Sequence, residues 1–325
     1  GHYGIAGLTC ARQLQSQGHA VTVYEKNGVA GGRICTRETE VGGFDHGAQY
    51  FTAESEPFQQ QIALWRKARV IAPWAGKLVN LIDGKVQAAG RSSQRFVAVP
   101  GMSALGLALA VGLDVRLEQR VQRIEQFDGK WLLAVKADTV AIEASAGPFD
   151  AVLLALPADH ASALLAPLPD LAAQAAKAHL APCWALMLGF PQALDLGYDG
   201  AWIGNSRLAW IAREASKPGR RPGEHWIAHA SSAWSAKHLA DEPERARDKL
   251  IKAFHEATGS QVQPIHAVTY RWPYAQAQKP LAKQCLWDVQ SRIGACGDWF
   301  AAGLKGSGRI ENAFLSGLAL AKKLR

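Results

Sequence analysis

The sequence predicts an α/β fold in which two domains are interleaved along the chain. Glycine-rich turns beside predicted helices and short apolar strands occur near both ends of the 325 residues and around residues 100–157. Apolar and aromatic runs between Gly, Pro and Asp turns fill residues 70–99 and 180–290, which is typical of an antiparallel sheet. At roughly 150 residues per domain, the length also favours two domains.

The composition is that of a globular protein and argues against several classes. Apolar residues make up 48% of the chain and charged residues 20%, which excludes disorder for most of it. No run approaches the roughly 18 apolar residues of a membrane-spanning helix. The five cysteines are far apart and form no C-x-x-C pair, and the ten histidines show no metal-ligand spacing. We therefore expect a cytoplasmic protein with reduced thiols, no metal and no membrane partner.

The net charge of +8 indicates affinity for anions. The basic residues are spread along the chain, and the densest patches are residues 217–221 (KPGRR) and the C-terminal lysines and arginine. The first patch is interpreted as a solvated loop and the second as a solvated helix end, so we expect no nucleic-acid partner. An anionic dinucleotide would suit the same charge balance.

The elements of the first 67 residues follow from glycine punctuation and apolar spacing. Leu8, Ala11 and Leu14 repeat at helical spacing, and Gly18 follows them. In order, the predicted elements are a glycine turn running into a helix at 4–17, a strand at 20–24, a second glycine turn at 28–33, a loop or short strand at 42–52 and a helix at 56–67.

The middle of the chain is predicted to contain hairpins and one buried strand. Asp83-Gly84 and Asp128-Gly129 are two-residue hairpin turn signals. The predicted elements are short strands between 70 and 99, a helix at 102–111, strands at 114–120, 121–127 and 130–135, and a continuous apolar strand at 149–156 closed by Pro157.

The second half is predicted to be mostly strands, with three helical regions. Asp241 is a plausible cap of a helix at 243–258, and Gly259 is its stop signal. The predicted elements are a two-part alanine-rich helical segment at 158–180, strands at 184–190, 201–211, 225–231 and 262–272, that capped helix, a strand at 293–296, a turn at Gly297-Asp298 and a helix at 311–324.

This pattern defines two domains. Residues 1–69, 95–157 and 290–325 are assigned to a Rossmann-like nucleotide-binding domain. Residues 70–94 and 158–289 are assigned to a smaller substrate domain of mixed antiparallel strands and helices.

The first chemistry-bearing motif is Gly4-Ile5-Ala6-Gly7, followed by a helix and then by a strand that ends at Glu25. Glycines let the backbone approach a pyrophosphate, and a helix N-terminus offers N–H donors to it. Glu25 follows Gly7 by 18 residues, where an acidic side chain binds the ribose hydroxyls of a dinucleotide. A G-x-x-G sequence alone is also common in ordinary turns, but the helix, strand and acid in register favour a dinucleotide site.

The full motif, G-x-G-x-x-G, is incomplete here. Gly4 and Gly7 align with its second and third glycines, and the first glycine falls on His2. A β-strand should precede that glycine and form the centre of the parallel sheet. We therefore expect a sheet without its middle strand.

Two further motifs concern the cofactor. Gly31-Gly32-Arg33 follows Glu25-Lys26 closely and resembles the flavin-binding signature of amine-oxidase-like FAD proteins. The alternative is a surface arginine after a flexible turn. Cys296-Gly297-Asp298 ends a short apolar strand, and in FAD proteins of this class an aspartate there binds the ribityl chain. The alternative is a turn aspartate.

Four longer stretches resemble one narrower family. They are residues 44–52 (FDHGAQYFT), 99–105 (VPGMSAL), 271–274 (RWPY) and 313–317 (AFLSG). Together they resemble bacterial renalase-type proteins, small FAD oxidoreductases related to monoamine and polyamine oxidases. The resemblance extends from Gly4 to about Leu324, and the sequence departs from the family pattern at residues 300–308.

The resemblance implies non-covalent FAD and oxidation of misformed dihydro isomers of nicotinamide dinucleotides, with O2 reduced to H2O2. Such a substrate already carries a transferable hydride, so no protein base is needed. By resemblance, Trp272 and Tyr274 are the candidates for the substrate-side wall, with core packing as the alternative. The residues expected to bind FAD are Gly4, Ala6, Gly7, Glu25, Lys26, Gly32, Arg33, Ala48, Gln49, Tyr50, Val121, Asp298, Arg309, Ile310 and Glu311.

Two other functions stay open. A flavin amine oxidase would carry a lysine bonded through water to flavin N5, and Lys279 and Lys283 are loop candidates for it. A FAD-binding protein without turnover is the third possibility. His46 lies inside the loop expected near the flavin, and His229 is expected to be a core or pocket residue. The oligomeric state is left open.

Overall fold

The structure is a computed structural model that describes residues 4–90, 93–137, 143–301 and 309–324. The helices of these residues are α1 (Ile5–Ser16), α2 (Glu56–Lys67), α3 (Ser103–Ala110), α4 (Ala158–Leu164), α5 (Pro169–Ala175), α6 (Ser232–Lys237), α7 (Pro243–Thr258) and α8 (Ile310–Ala321).

The strands, in chain order, are β1 (Thr22–Tyr24), β2 (Arg37–Thr39), β3 (Gly42–Phe44), β4 (Ile71–Pro73), β5 (Leu78–Ile82), β6 (Lys85–Ala88), β7 (Phe96–Ala98), β8 (Asp114–Arg116), β9 (Gln119–Phe127), β10 (Lys130–Ala137), β11 (Ala144–Phe149), β12 (Val152–Leu154), β13 (His179–Phe190), β14 (Gly200–Gly204), β15 (Leu208–Arg213), β16 (Glu224–Ala230), β17 (His266–Lys279), β18 (Leu286–Asp288) and β19 (Ile293–Ala295).

The predicted α/β fold is confirmed, and the largest sheet comes from the segments predicted to be antiparallel. Among the described strands, seven pair in the order β17-β13-β16-β15-β14-β5-β6. Neighbours in this sheet are antiparallel except β5 and β14, which are parallel. The sequence did not reveal that pair because it joins segments more than a hundred residues apart.

Two other parallel pairs lie where the nucleotide-binding domain was predicted. β1 pairs with β8, and β12 pairs with β19, which carries antiparallel β18 on its other edge. A cavity of about 730 Å³ is lined by residues 19–24, which include β1, and by residues 148–156, which include β12. This cavity lies between the two small sheets. His2, on which the first motif glycine falls, lies outside the described residues.

Both predicted two-residue hairpin turns are present. Asp83 and Gly84 have φ values of 51° and 74°, and Asp128 and Gly129 have 49° and 73°. Two consecutive positive φ values match the type I′ geometry that suits the twist of a hairpin. The first turn joins β5 to β6 and the second joins β9 to β10.

Several local predictions were wrong in detail, among them the single strand predicted at 201–211, which is the antiparallel pair β14 and β15. The apolar run 149–156 is divided, because Phe149 ends β11 and a bend precedes β12. The N-cap of α7 is Glu242, while Asp241 pairs instead with His238 and Lys249. The strand predicted at 262–272 is β17, which begins four residues later and continues to Lys279.

Small residues let three helices pack around the glycine turns. A side chain at Gly317 of α8 would collide with the backbone of α1. A Cβ at Gly106 of α3 would lie 2.7 Å from the Cα of Gly31, which itself has a φ of 124°. These close approaches fix the first half of α1 against α8, and the Gly31 turn against α3.

Candidate functional site

A cavity of about 830 Å³ is lined by two groups of residues, which together include nine of those that the sequence assigned to the cofactor or to the substrate. The first group comes from the start of α1, the turn at Gly31, the segment after β19 and the start of α8. The second group comes from the loop 46–52 and from β14, β15, β16 and β17. The volume lies within the usual range of small-molecule sites.

The N-terminus of α1 faces the cavity through Gly4 and Ile5. The first N–H groups of a helix have no partner within the helix and carry its positive dipole end. A Cβ at Gly4 would lie 3.0 Å from the carbonyl oxygen of Gly31, so a glycine is needed for this approach. The two glycine turns therefore form one surface suited to a phosphate group.

Arg33 and Asp298 form a two-point ion pair at the cavity. Arg33 donates from Nη2 to Asp298 Oδ1 at 2.6 Å and from Nη1 to Oδ2 at 3.0 Å. Arg33 Nη1 also donates to the carbonyl oxygen of Ala275 at 2.9 Å. The pair joins two motifs that are 265 residues apart. Arg33 and Asp298 were both predicted as cofactor residues, but their contact with each other was not predicted.

The start of α8 contributes Arg309 and Ile310 to the lining. Arg309 pairs with Glu54, which also lines the cavity. Glu311 is buried and faces elsewhere, since its carboxylate accepts hydrogen bonds from the backbone of Glu54 and from the backbone and hydroxyl of Ser55. Its carboxylate therefore holds the segment before α2 and does not line the cavity.

The loop 46–50 is fixed against the strands of the large sheet. The carbonyl oxygen of His46 accepts a hydrogen bond of 3.0 Å from Trp272 Nε1, and His229 Nε2 lies 3.2 Å from the same oxygen. The His46 and Trp272 rings stack with centroids 5.2 Å apart. Burial lowers the pKa of His46 and of His229 to about 4, so both side chains are neutral at pH 7.

Aromatic rings form much of the second group. Tyr50, Trp202 and Trp210 line the cavity, and the Trp210 ring lies 5.7 Å from Tyr50 and 5.2 Å from Trp202. Trp74 supports Tyr50 and Trp210 from behind. Trp210 Nε1 donates to Gln49 Oε1 at 3.3 Å, which fixes the indole to the loop.

A buried charge cluster behind Gln49 was not predicted. Lys217 Nζ has no solvent exposure and lies 3.2 Å from both Asp45 Oδ2 and the Glu214 carboxylate, and 3.3 Å from Gln49 Oε1. Arg220 also pairs with Asp45. The interpretation of residues 217–221 as a solvated loop was therefore wrong for Lys217 and for Arg220, whose side chains are both buried. Local composition cannot reveal this, because Asp45 lies 172 residues away in the chain.

The pKa directions in this cluster are opposite for its two carboxyls. Lys217 and Arg220 hold the pKa of Asp45 below its usual value. Burial raises the pKa of Glu214 from 4.5 to about 7, against the attraction of Lys217. One carboxyl is thus ionised at neutral pH, and the other is poised to exchange a proton.

The structure brings some of the predicted cofactor and substrate residues to the cavity but not others. Those that line it are Gly4, Arg33, Ala48, Gln49, Tyr50, Trp272, Asp298, Arg309 and Ile310. Gly7 and Val121 line the smaller cavity between β1 and β12 instead. Ala6, Glu25, Lys26, Gly32, Tyr274 and Glu311 line neither. The Tyr274 ring contacts His160 at 4.9 Å, and the buried Glu25 carboxylate accepts a hydrogen bond from the Asn27 N–H. Residues 302–308, in the segment that departs from the family pattern, lie outside the described residues.

The lining fits a flavin dinucleotide. Two helix N-termini and the Arg33 guanidinium face the cavity, which suits anionic phosphates. The aromatic rings beyond them suit a flat conjugated ring. The lysines considered for an amine oxidase do not contribute, because Lys279 and Lys283 are exposed and outside the lining.

The described residues give two further findings about the site and the chain. None of their helices combines the length and apolar character required to cross a bilayer. No three of their His, Cys, Asp or Glu side chains are grouped to hold a metal ion.

A comparison with protein families gives one match across most of the chain. The family described as flavin containing amine oxidoreductase matches residues 5–69 and 81–324. This match includes each of the cavity-lining segments apart from Gly4.

Solved structures of oxidases share the fold. A provisionally assigned protoporphyrinogen oxidase from Exiguobacterium sp. 255-15 superposes with a TM-score of 0.77 at 12% identity, over 99% of this chain and 96% of that chain. Cyclohexylamine oxidase from Brevibacterium oxydans IH-35A gives 0.71 at 14% identity, over 99% and 97%. A putrescine oxidase triple mutant with redesigned cofactor binding gives 0.71 at 12% identity, over 99% and 96%.

Proposed function

This chain belongs to the family of flavin-containing amine oxidoreductases, and from that premise we propose that it is an FAD-dependent oxidase of the renalase type. Its substrates would be misformed dihydro isomers of nicotinamide dinucleotides. The dihydropyridine ring loses a hydride and becomes aromatic, and O2 takes up the electron pair with two protons to give H2O2. Bound FAD supplies the hydride acceptor.

The observation that carries this proposal is the charge state of the cavity wall. Both carboxylates in the described lining are paired with arginines, Asp298 with Arg33 and Glu54 with Arg309. The histidines of the wall are neutral because burial lowers their pKa. A neutral dihydropyridine can stack on such a wall. An alkylammonium would lose its hydration on entering the cavity, and the described lining offers it no unpaired carboxylate in return.

The roles of the wall residues follow from how they are held. Trp272 is fixed by its hydrogen bond to the His46 carbonyl and by stacking on the His46 ring. Trp210 is fixed through Gln49. These indoles therefore keep one orientation, and they would hold the substrate ring in a defined plane and exclude water from it. With a pKa of about 4, the imidazoles of His46 and His229 are weak bases. A wall with only weak bases suits a reaction that needs no base.

On the other side, we propose that Gly4, Arg33, Asp298 and Ile310 bind the FAD. The α1 N-terminus and Arg33 would face its phosphates, and Asp298, oriented by Arg33, would bind its ribityl hydroxyls. The interleaved domain boundaries predicted from the sequence are part of the same proposal, since the lining draws the loop 46–52 from the predicted FAD-binding domain and β14 to β17 from the predicted substrate domain.

The second candidate is a flavin amine oxidase. The names of two similar structures, a cyclohexylamine oxidase and a putrescine oxidase, favour it. So does the presence of a buried lysine, Lys217, one side chain behind the cavity wall. That ammonium already contacts two carboxylates and Gln49, and the Gln49 side chain lies between it and the cavity.

Anaerobic flavin reduction separates the candidates. FAD-loaded protein is mixed with the dihydronicotinamide dinucleotide isomers, with ordinary NADH, with cyclohexylamine and with putrescine, and the visible flavin absorption is followed. We expect the isomers to bleach the flavin and the amines to leave it oxidised. Bleaching by an amine but not by an isomer would establish the second candidate. Bleaching by none of them would support a flavin-binding protein without turnover.

A further inference from the structure

Arg95 does not itself line the large cavity, but its guanidinium lies over two aromatic rings that do. Its guanidinium carbon is 5.6 Å from the centroid of the Tyr50 ring and 5.4 Å from that of the Trp202 ring. Both rings line the cavity, and so does Ser93, two residues before Arg95. The backbone carbonyl of Arg95 accepts a hydrogen bond of 2.9 Å from the N–H of Trp74, which holds the residue in place.

Arg95 differs from three other cations near the cavity. Arg33, Arg309 and Lys217 each contact a carboxylate. No described carboxylate lies within ion-pair distance of the Arg95 guanidinium, which is partly buried. A guanidinium that is attracted to aromatic rings and has no carboxylate partner retains N–H donors for an anion.

The position fits one part of the proposed substrate. The nicotinamide ring would stack on the inner aromatic wall, which is neutral, and the rest of the dinucleotide must then leave the cavity past other lining residues. A dinucleotide carries its negative charge on the pyrophosphate, whereas the ring end carries none in the dihydro form. A cation fixed at Tyr50 and Trp202 would meet that charge and would repel an ammonium.

We propose that Arg95, held between Tyr50 and Trp202, forms an anion subsite that binds a phosphate of the nicotinamide dinucleotide. This inference rests on the proposed function and names the residue that selects a phosphorylated substrate. Charge-assisted hydrogen bonds from a guanidinium to phosphate are worth about 1.5–3 kcal/mol, which corresponds to roughly 10- to 100-fold in affinity. Because Arg95 is only partly buried, we expect the lower end of that range.

The test varies both the arginine and the number of phosphates on the ligand. The variants are Arg95→Met, Arg95→Lys and, as the matched control, Arg66→Met. Arg66 also lies over an aromatic ring, 5.9 Å from the centroid of Phe96, but Arg66 is exposed and Phe96, unlike Tyr50 and Trp202, does not line the cavity. The ligands are oxidised nicotinamide dinucleotide, nicotinamide mononucleotide and nicotinamide riboside, titrated into FAD-loaded protein by calorimetry.

We expect Arg95→Met to weaken the dinucleotide about tenfold and the mononucleotide less, and to leave the riboside unchanged. Arg95→Lys should retain part of the affinity, because it keeps the charge but loses the planar fork. Added salt should weaken dinucleotide binding more in the wild type than in Arg95→Met. Arg66→Met should match the wild type for each ligand.

An equal loss for the riboside and the dinucleotide would overturn the subsite, because it would mean that Arg95 only supports the aromatic wall. No loss for the dinucleotide would overturn it as well. Failure of the proposed function looks different, since the wild-type flavin would then resist reduction by the dihydro forms of all three ligands. The calorimetric comparison does not depend on that reduction and tests the anion subsite separately.

Discussion

Lys217→Met removes the positive charge from the most deeply buried ion cluster of the described residues. The ammonium contacts Asp45 and both oxygens of Glu214 at 3.2 Å, and the side chains are fully excluded from solvent or nearly so. Methionine has a similar length and no charge, so the change removes the pairing more than the packing. Asp45 keeps Arg220 as a partner. Glu214 loses its ion-pair partner and keeps the hydrogen bond from the Asp45 N–H at 3.2 Å.

The loss of stability in Lys217→Met depends on what happens to the Glu214 carboxylate, which has lost its ion-pair partner. Removing one partner of a buried ion pair costs about 3–5 kcal/mol because a charge is left buried and unpaired. Glu214 can avoid this by binding a proton. Its pKa in the folded protein, about 7, already exceeds its usual value of 4.5, so the folded state binds a proton that the unfolded chain lacks between those values. The stability contributed by this group is complete below pH 4.5 and is lost as pH rises to 7.

The variant should extend that loss to higher pH. Without Lys217 the folded pKa of Glu214 rises further, so the deficit relative to wild type is small at pH 5 and grows by about 1.4 kcal/mol per pH unit above pH 7. Near pH 8 it is about 1–2 kcal/mol, below the cost of a buried carboxylate that stays ionised and unpaired. The measurement is the urea midpoint of the FAD-loaded protein at both pH values, with the slope checked for constancy. Lys130→Met is the control, because Lys130 pairs with Asp150 on the exposed surface.

Two results would refute this reasoning. One is a Lys217→Met midpoint no lower than that of Lys130→Met at pH 8. The other concerns Lys217→Met combined with Glu214→Gln, which replaces the unpaired carboxylate with a neutral amide. We expect the double variant to be more stable at pH 8 than Lys217→Met alone, and a further loss would contradict the account.

Three other predictions concern helix packing, cofactor binding and the pH dependence of the reaction. Gly317→Ala would force a methyl group into the backbone of α1 and should lower the free energy of unfolding by about 1–3 kcal/mol; Gly90→Ala, with open space around the added carbon, should leave the urea midpoint unchanged. Asp298→Asn weakens the two-point pair with Arg33 and should raise the Kd for FAD roughly tenfold in a fluorescence titration, and an unaltered Kd would exclude the pair from cofactor binding. Burial keeps the pKa of His229 at about 4, so kcat/KM for a dihydro isomer should show no histidine inflection between about pH 5.5 and 8; an inflection that disappears in His229→Gln would show the opposite.

The elements that the sequence predicted correctly are those whose structure depends on residues close together in the chain. The helix predicted at 56–67 and the helix predicted at 243–258 are α2 and α7 with the same bounds. The hairpin turns at Asp83 and Asp128 are present because an aspartate–glycine pair accepts the two positive φ values that such turns require. Gly259 ends α7 with a φ of 73°, as its position predicted.

The cofactor motifs were found for a related reason. Glycine turns at Gly4 and Gly31, followed by Arg33, are fixed by backbone geometry, so they leave a mark in the sequence. Those glycines do face the cavity. Glu25 and Val121 were placed by spacing and by resemblance, and neither is in the lining of the large cavity. Spacing along the chain does not specify which side of a turn a side chain will take.

By itself, the sequence determined the fold class, the flavin family and the two glycine turns, because each depends on neighbours within a few residues or on a motif. Only the tertiary structure decided the charge of the substrate wall. The pairing of Arg33 with Asp298, the burial of Lys217 beside Asp45 and the placement of Arg95 between Tyr50 and Trp202 all join segments far apart in the chain. Ionisation in a cavity depends on which groups meet there and on how much water they lose, and that is settled only when the sheets close around them.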